Sequence, residues 1–253
     1  TDLEGRITYA NSAFVEVSGG PHDILTGQYG YFRLFEQDSQ NIAAFLPSLG
    51  KEWQILNMSH KPWPSGRLTH GAIDGLAGLM AKHHFGPEAI AAIEMRVPPL
   101  VHRLVGRPDV AEPEANYAKL CLGFVAGVFL ARGRVDVPDF KGTAALNDPE
   151  VHRYAALVDV VLDDNTDLNA LDPQQITVRL HSGEEHSLKL EHMFGHPAVP
   201  LSLAQNEEKF RRCAGYGRAP MTGKQVDALV EAVSRIEGLP DVGQLVSLTQ
   251  EQK

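Results

Sequence analysis

Apolar side chains recur along this chain at two spacings, and the spacing switches from helical to extended and back. In residues 68–84 (LTHGAIDGLAGLMAKHH), Leu68, Ala72, Leu76, Leu79 and Met80 share one helical face, Thr69 stands near the start, and Gly86-Pro87 closes the segment. Residues 88–97 lead into a strand in which Ile93, Met95 and Val97 alternate, and Pro98-Pro99 stops it. Residues 117–131 (YAKLCLGFVAGVFLA) read as one apolar helix whose small residues Gly123, Ala126 and Gly127 let another backbone approach closely. Arg132-Gly133 is its end, where a cation and a residue free in φ are both favourable. Residues 138–157 hold one or two short helices. Residues 158–164 and 175–180 alternate as strands, His181-Ser182-Gly183-Glu184 is a hairpin turn, and residues 185–190 return. Helical spacing resumes after Gly195-His196-Pro197, with Ser202 and Thr222 as N-caps of 203–214 and 224–237. Nearer the amino end, residues 7–17 read as a short helix and Tyr31, Phe32, Leu34 and Phe35 as packing a helical layer. Residues 52–60 (EWQILNMSH) read as a strand leading to Lys61, and Pro62 and Pro64 forbid regular structure beyond it.

The expected order is therefore a short helical piece, a central mixed α/β region and a helical tail. The Pro- and acid-rich stretch 106–115 is a loop or lid inside the middle region, and no internal repeat or heptad series appears. The chain has 253 residues, 43% of them hydrophobic and 22% charged, enough apolar content for a sizeable core. Lys plus Arg number 23 against 32 Asp plus Glu, a formal net charge of −9 with no dense basic block. Such a balance argues against nucleic acid as partner, though a pocket can still be locally positive. No apolar run reaches the length of a spanning helix, so no membrane partner is expected. Cys121 and Cys213 lack the close spacing of zinc or iron–sulfur patterns, and two reduced thiols in a cytoplasmic protein are the simplest reading. The start, Thr1-Asp2-Leu3-Glu4-Gly5-Arg6, is not a signal peptide and lacks an initiator Met, which raises a fragment, a processed product or one piece of a larger protein as an expectation.

Three segments, GGPHDILTGQYGYF (19–32), KPWPSGRLTHGAID (61–74) and EHMFGHPAVPLSLAQNEEKF (191–210), carry a family resemblance. In order and spacing they resemble the MmgE/PrpD family of 2-methylcitrate dehydratase and cis-aconitate decarboxylase. AKLCLGFVAGVFLARGRV between them resembles the family's small-faced helix. The resemblance implies an all-helical domain into which a smaller α+β domain is inserted. Residues 1–50 would then finish the first helical part, 51–198 form the α+β domain, and 199–253 return to the helical domain. It also implies that most of the helical domain, and the family's catalytic Asp and His residues with it, lie in a segment or partner chain outside this sequence.

Lys61 is the leading site candidate, matching a substrate-site lysine at the family's domain interface. Beside two prolines it offers a charge that can bind a carboxylate or support proton transfer. Arg67 is a second anion ligand, since its planar donor fork suits a carboxylate. His70 is a candidate for proton exchange or for a structural role, and Asp74, four residues on, could orient it. Two positions depart from the family pattern. Gly66 stands where decarboxylase-like members carry His, and supplies no acid, base or nucleophile; it leaves space or permits positive φ. Phe124 stands where members often carry Tyr and reads as core. His83-His84 and His102 make no metal set, His181 and His186 could face each other across the hairpin, and His196 reads as a turn histidine.

The resemblance implies part of a cofactor-independent lyase for a small di- or tricarboxylate, 2-methylcitrate dehydratase-like hydration or dehydration foremost, with no metal. Lys61 and Arg67 would hold carboxylate oxygens while a base removes the proton alpha to a carboxylate. Epimerisation of a substituted dicarboxylate shares that first step. A non-catalytic accessory or degenerate subunit is the third reading, and a homo- or hetero-oligomer is expected with each. A short stretch at the start, TDLEGRITYANSAFVEVSG, also resembles the opening of a PAS sensory domain, but the match stops at Gly19.

Overall fold

The computed structural model describes residues 30–35, 41 and 46–250. The expected helix at 7–17, the PAS-like stretch and most of the 19–32 motif lie outside them. The chain divides between Asn57 and Met58 into two units. In the first, helix α1 (Tyr31–Phe35) carries the aromatic cluster, and 3-10 turns follow at Leu46–Ser48 and Gln54–Asn57. The strand expected over 52–60 is not there. No strand among the described residues offers it a ladder, and Ile55 and Leu56 are exposed within a 3-10 turn.

The second unit is built on a four-stranded sheet. Helix α2 (His70–His83) precedes β1 (Ile90–Val97), and β1 leads through α3 (Pro99–Val105) and α4 (Ala115–Lys119) to α5 (Leu122–Arg132). Two short helices, α6 (Thr143–Leu146) and α7 (Pro149–Ala155), come before β2 (Val158–Leu162), β3 (Gln174–Leu180) and β4 (Glu185–Leu190). The tail carries α8 (Leu203–Ala214), α9 (Gly223–Ser234) and α10 (Gly243–Thr249). The strand order is β2-β1-β3-β4, with β1 parallel to β2 and both other pairings antiparallel. The fold is α+β.

Alternation explains the sheet. Ile93, Met95 and Val97 of β1 and Ile176, Val178 and Leu180 of β3 are buried with Leu76 and Leu79 of α2 and Leu122, Ala126 and Leu130 of α5. Glu94, Arg96, Thr177 and Arg179 take the alternate, more exposed positions of the same strands, as Ser187 does on β4. A second core lies on the other side of α5, where Phe124, Val125 and Val128 meet Ile73, Cys121, Phe140 and Val151. Phe124 is thus a core residue, buried against the rings of Phe140 and His152.

Helix α5 is apolar all round because it has both cores to fill. A Cβ at Gly127 would stand 2.3 Å from the Val151 carbonyl oxygen, so glycine is what lets α5 and α7 touch backbone to backbone. Gly133 ends α5 in the left-handed conformation at φ +68. The expected single helix over 117–131 is broken at Leu120-Cys121. Cys121 is extended, and the Lys119 carbonyl accepts the Gly66 amide at 2.8 Å instead of one in the next turn. Ser202 and Thr222 cap α8 and α9, each with a Gln three residues on that reaches back to the cap amide. No helix among the described residues is long and apolar enough to cross a membrane.

Candidate functional site

The segment between Lys61 and His70 is a compact turn held by its own polar groups. Ser65 Oγ and Thr69 Oγ1 lie 2.9 Å apart, and the Thr69 hydroxyl donates to the Gly66 carbonyl at 2.8 Å. Lys61, exposed, donates its Nζ to the Ser65 carbonyl at 3.3 Å. A 3-10 turn at Arg67–Thr69 then feeds α2, whose N-cap position is Thr69. Gly66 has an ordinary backbone (φ −59, ψ 133), so positive φ is not why it is glycine. A Cβ there would stand 2.7 Å from Leu120 Cδ2 and 3.3 Å from the Lys119 carbonyl oxygen. Glycine eases the close approach of the Lys119 carbonyl at the end of α4, while the flexible Leu120 side chain could move aside.

The loop after β4 locks this turn in place. The His60 amide donates to the Gly195 carbonyl at 2.8 Å, and Arg67 Nη2 to the Met193 carbonyl at 3.0 Å. The Phe194 amide donates to Asp74 Oδ2 at 2.8 Å. The expected Asp74–His70 pairing is therefore replaced, because an amide 120 residues away takes the carboxylate. Burial pushes the Asp74 carboxyl above its usual range, against the pull of that amide and of Arg67. Arg67 is half-buried and its guanidinium is drawn down chiefly by desolvation, with Asp172 and Asp74 opposing.

His70 is 0% exposed. Its Nδ1 lies 3.5 Å from Arg67 Nη1, a group that can only donate, so a hydrogen bond between them needs Nδ1 as the acceptor. Nε2 is buried and without a hydrogen-bond partner. Burial, then the charges of Arg67 and Lys61, lower the His70 pKa to about 3. The nearby backbone of Ser65 and Trp63 favours the charged ring but is outweighed. Trp63 packs edge-on to His70 with centroids 5.1 Å apart and leans on Phe194 at 6.1 Å. Lys61, Arg67 and His70 thus share one turn, with the two cations close enough to act on the imidazole.

Sequence reasoning missed three features. Gln174 at the start of β3 is fully buried under α2, donating to the Leu68 carbonyl at 3.3 Å, and a Cβ at Gly71 would fall 2.1 Å from its Oε1. Asp172, His192 and His196 gather beside the Arg67 turn, with no local spacing to signal it. His186 does not face His181: the ladder sets Val178 opposite it, and its ring stacks on His83 at 3.9 Å. A groove of about 780 Å³ is lined by α8, α9 and α10 and by none of the candidate site residues. Both cysteines are free thiols, Cys121 buried and Cys213 exposed.

The MmgE/PrpD C-terminal domain model matches residues 63–235. Over 249 residues the chain is 27% identical to cis-aconitate decarboxylase of Homo sapiens, covering 94% of this chain and 49% of that protein. The corresponding Mus musculus enzyme is 27% identical over 214 residues, covering 80% of this chain and 42% of that one. The chain spans about half the length of the curated relatives it matches. With the family model running from Trp63, inside the Lys61–His70 turn, through the sheet and into the tail helices, this chain belongs to the MmgE/PrpD family.

Proposed function

We propose that this chain supplies the carboxylate-binding wall of a lyase for a small di- or tricarboxylate, with dehydration or hydration of a 2-methylcitrate-like acid as the reaction. The observation that carries the reading is the pair of cations on one rigid turn. Lys61 is exposed and tethered only by one 3.3 Å bond to a carbonyl, so its ammonium is available to an anion. Arg67 is half-buried, where a charge is screened less than at the surface. A carboxylate held by both would have its alpha proton acidified, because the cations favour the negative charge that builds as the proton leaves.

His70 takes a positioning role in this proposal. Its neutral ring braces Arg67 through Nδ1, and a ring held neutral beside two cations is a poor proton donor at neutral pH. The base and the acid would then come from the half of the relatives' length that this chain does not span. Gly66 favours dehydration over decarboxylation in this reading, since it supplies none of the acid–base chemistry of the His that decarboxylase-like members are expected to carry there. Epimerisation begins with the same proton abstraction and would use the same two cations. An accessory role beside a longer relative is the other reading, supported by the exposed apolar groove of the tail helices.

The test is a panel of di- and tricarboxylates offered to the 253-residue chain alone and to the chain joined to, or mixed with, a relative's preceding half. The proposal expects negligible turnover from the chain alone and measurable elimination from the completed protein. Robust turnover by the chain alone would reject it.

A further inference from the structure

We propose that Asp172, His192 and His196 form a binding site for a zinc-class divalent cation that pins the loop after β4 to the start of β3. One ligand atom from each of the three side chains lies within 4.8 Å of the others. The set mixes two imidazoles with one carboxylate, the combination that zinc and its neighbours prefer. His192 Nδ1 and Asp172 Oδ2 are 3.4 Å apart. Two ligands about 2.0–2.1 Å from one tetrahedral ion sit about 3.3 Å from each other, so this pair already has the spacing of a shared metal. The rings of His192 and His196 stack with centroids 4.1 Å apart and planes 8° from parallel, so a small opening of the stack would let both edges face one ion.

Two further observations point to a ligand. Asp172 Oδ1 is buried without any hydrogen-bond partner, an arrangement that costs free energy unless something positive completes it. Arg67 acts on Asp172 through its charge, but its Nη2 donates to the Met193 carbonyl rather than to Asp172. His192 has a side chain 43% exposed, so coordination positions not filled by protein can hold water. Binding through His196 Nδ1 would displace the Ala198 amide that now donates to it at 3.1 Å, and exposed Ala198 can turn that amide to water. The Arg67 charge opposes a second cation nearby and sets the affinity below that of an isolated site.

His192 and His196 bracket the residues whose Met193 carbonyl, Phe194 amide and Gly195 carbonyl hold Arg67, Asp74 and His60, and Asp172 faces them from the start of β3. A cation here would stiffen the platform that presents the candidate carboxylate site without touching the substrate. The inference stands apart from the lyase reading, because it is measured with metal alone and no substrate.

The experiment is calorimetric titration of Zn²⁺ into the metal-stripped chain, with cobalt absorption as a second readout, for the wild type and for Asp172→Asn, His192→Gln and His196→Gln. The stacked His83–His186 pair is removed in a control variant, H83Q/H186Q. The expected result is one equivalent bound by the wild type and by the control, with affinity at least about tenfold weaker in each ligand variant, since loss of even an outer partner costs ~10–100-fold. Since His192 is exposed, His192→Gln should fold normally by circular dichroism, which keeps the test valid if the buried-side variants do not. No uptake by the wild type, or equal uptake by wild type and His192→Gln, would overturn the proposal.

Discussion

His70 makes a quantitative demand on how stability changes with acid. The unfolded chain binds a proton at an ordinary histidine pKa of 6.5, whereas the folded protein resists protonation of this ring down to about 3. Below pH 6.5 the unfolded state therefore gains a proton that the folded state refuses, and stability falls as pH drops. The contribution is fully present above pH 6.5 and is lost progressively toward about 3. Between pH 7 and pH 5 this one group removes about 2 kcal/mol, and each further unit down to pH 4 removes about 1.4 kcal/mol. That is a large share of a typical ~5–15 kcal/mol total. The perturbation is His70→Gln, which keeps a polar side chain of similar reach and cannot titrate. Urea unfolding of both proteins at pH 7 and pH 5 gives four free energies. Every other titrating group acts alike in both proteins, so the difference of differences isolates His70. The expected value is about 2 kcal/mol, with the wild type losing more. Should the variant fold poorly, the His70 ring resonance of the wild type serves instead, and it should stay at its neutral position at pH 5. Equal losses in the two proteins, or a His70 resonance titrating near pH 6.5, would show that the fold does not hold this ring neutral.

Three further outcomes follow from packing and charge. Gly127→Ala should destabilise the protein by about 2 kcal/mol or more in thermal or urea unfolding despite the better helix propensity of alanine, because the new methyl meets the Val151 carbonyl oxygen. Gly66→His should cost about 1–3 kcal/mol and should not create a decarboxylase, measured by unfolding and by carbon dioxide release from cis-aconitate in the completed protein. His152, whose Nδ1 lies 2.6 Å from Asp109 and Nε2 2.9 Å from the Leu146 carbonyl, is drawn down by burial but raised further by these partners, so its pKa is above the ordinary value. The clamp it puts on the loop through Asp109 is complete below pH 6.5 and weakens as pH rises through the folded pKa. Asp109→Asn should lower the His152 pKa in a proton NMR titration.

The parts of the fold that local spacing controls were legible in the sequence. The alternation of Ile93, Met95 and Val97, the hairpin around Gly183 and the caps Ser202 and Thr222 are each written within a few residues. The break at Leu120-Cys121 was not, because it depends on the Gly66 amide capturing the Lys119 carbonyl across a distance no window spans. The strand expected over 52–60 failed for a related reason: β character needs a partner strand, and pattern alone does not supply one. At the site, Lys61, Arg67 and His70 could be singled out together because they sit within ten residues. Their surroundings could not be read the same way. Asp74 is taken by Phe194, Arg67 by Met193, and Asp172 meets His192 and His196 only after the β3–β4 hairpin brings them together. Gly66 shows a third case, in which the sequence flags an odd residue and only the packing shows its neighbours: the Lys119 carbonyl and the Leu120 side chain crowd the space beside it.

The most direct test of the account is calorimetric titration of a tricarboxylate such as methylcitrate into the completed protein, wild type against Lys61→Met. The ammonium is exposed and holds one weak bond, so the substitution should leave the melting temperature nearly unchanged. It should weaken binding by about tenfold or more, as loss of a charge-assisted contact worth ~1.5–3 kcal/mol requires. Unchanged affinity in a normally folded Lys61→Met protein would contradict the claim that this turn is a carboxylate-binding wall.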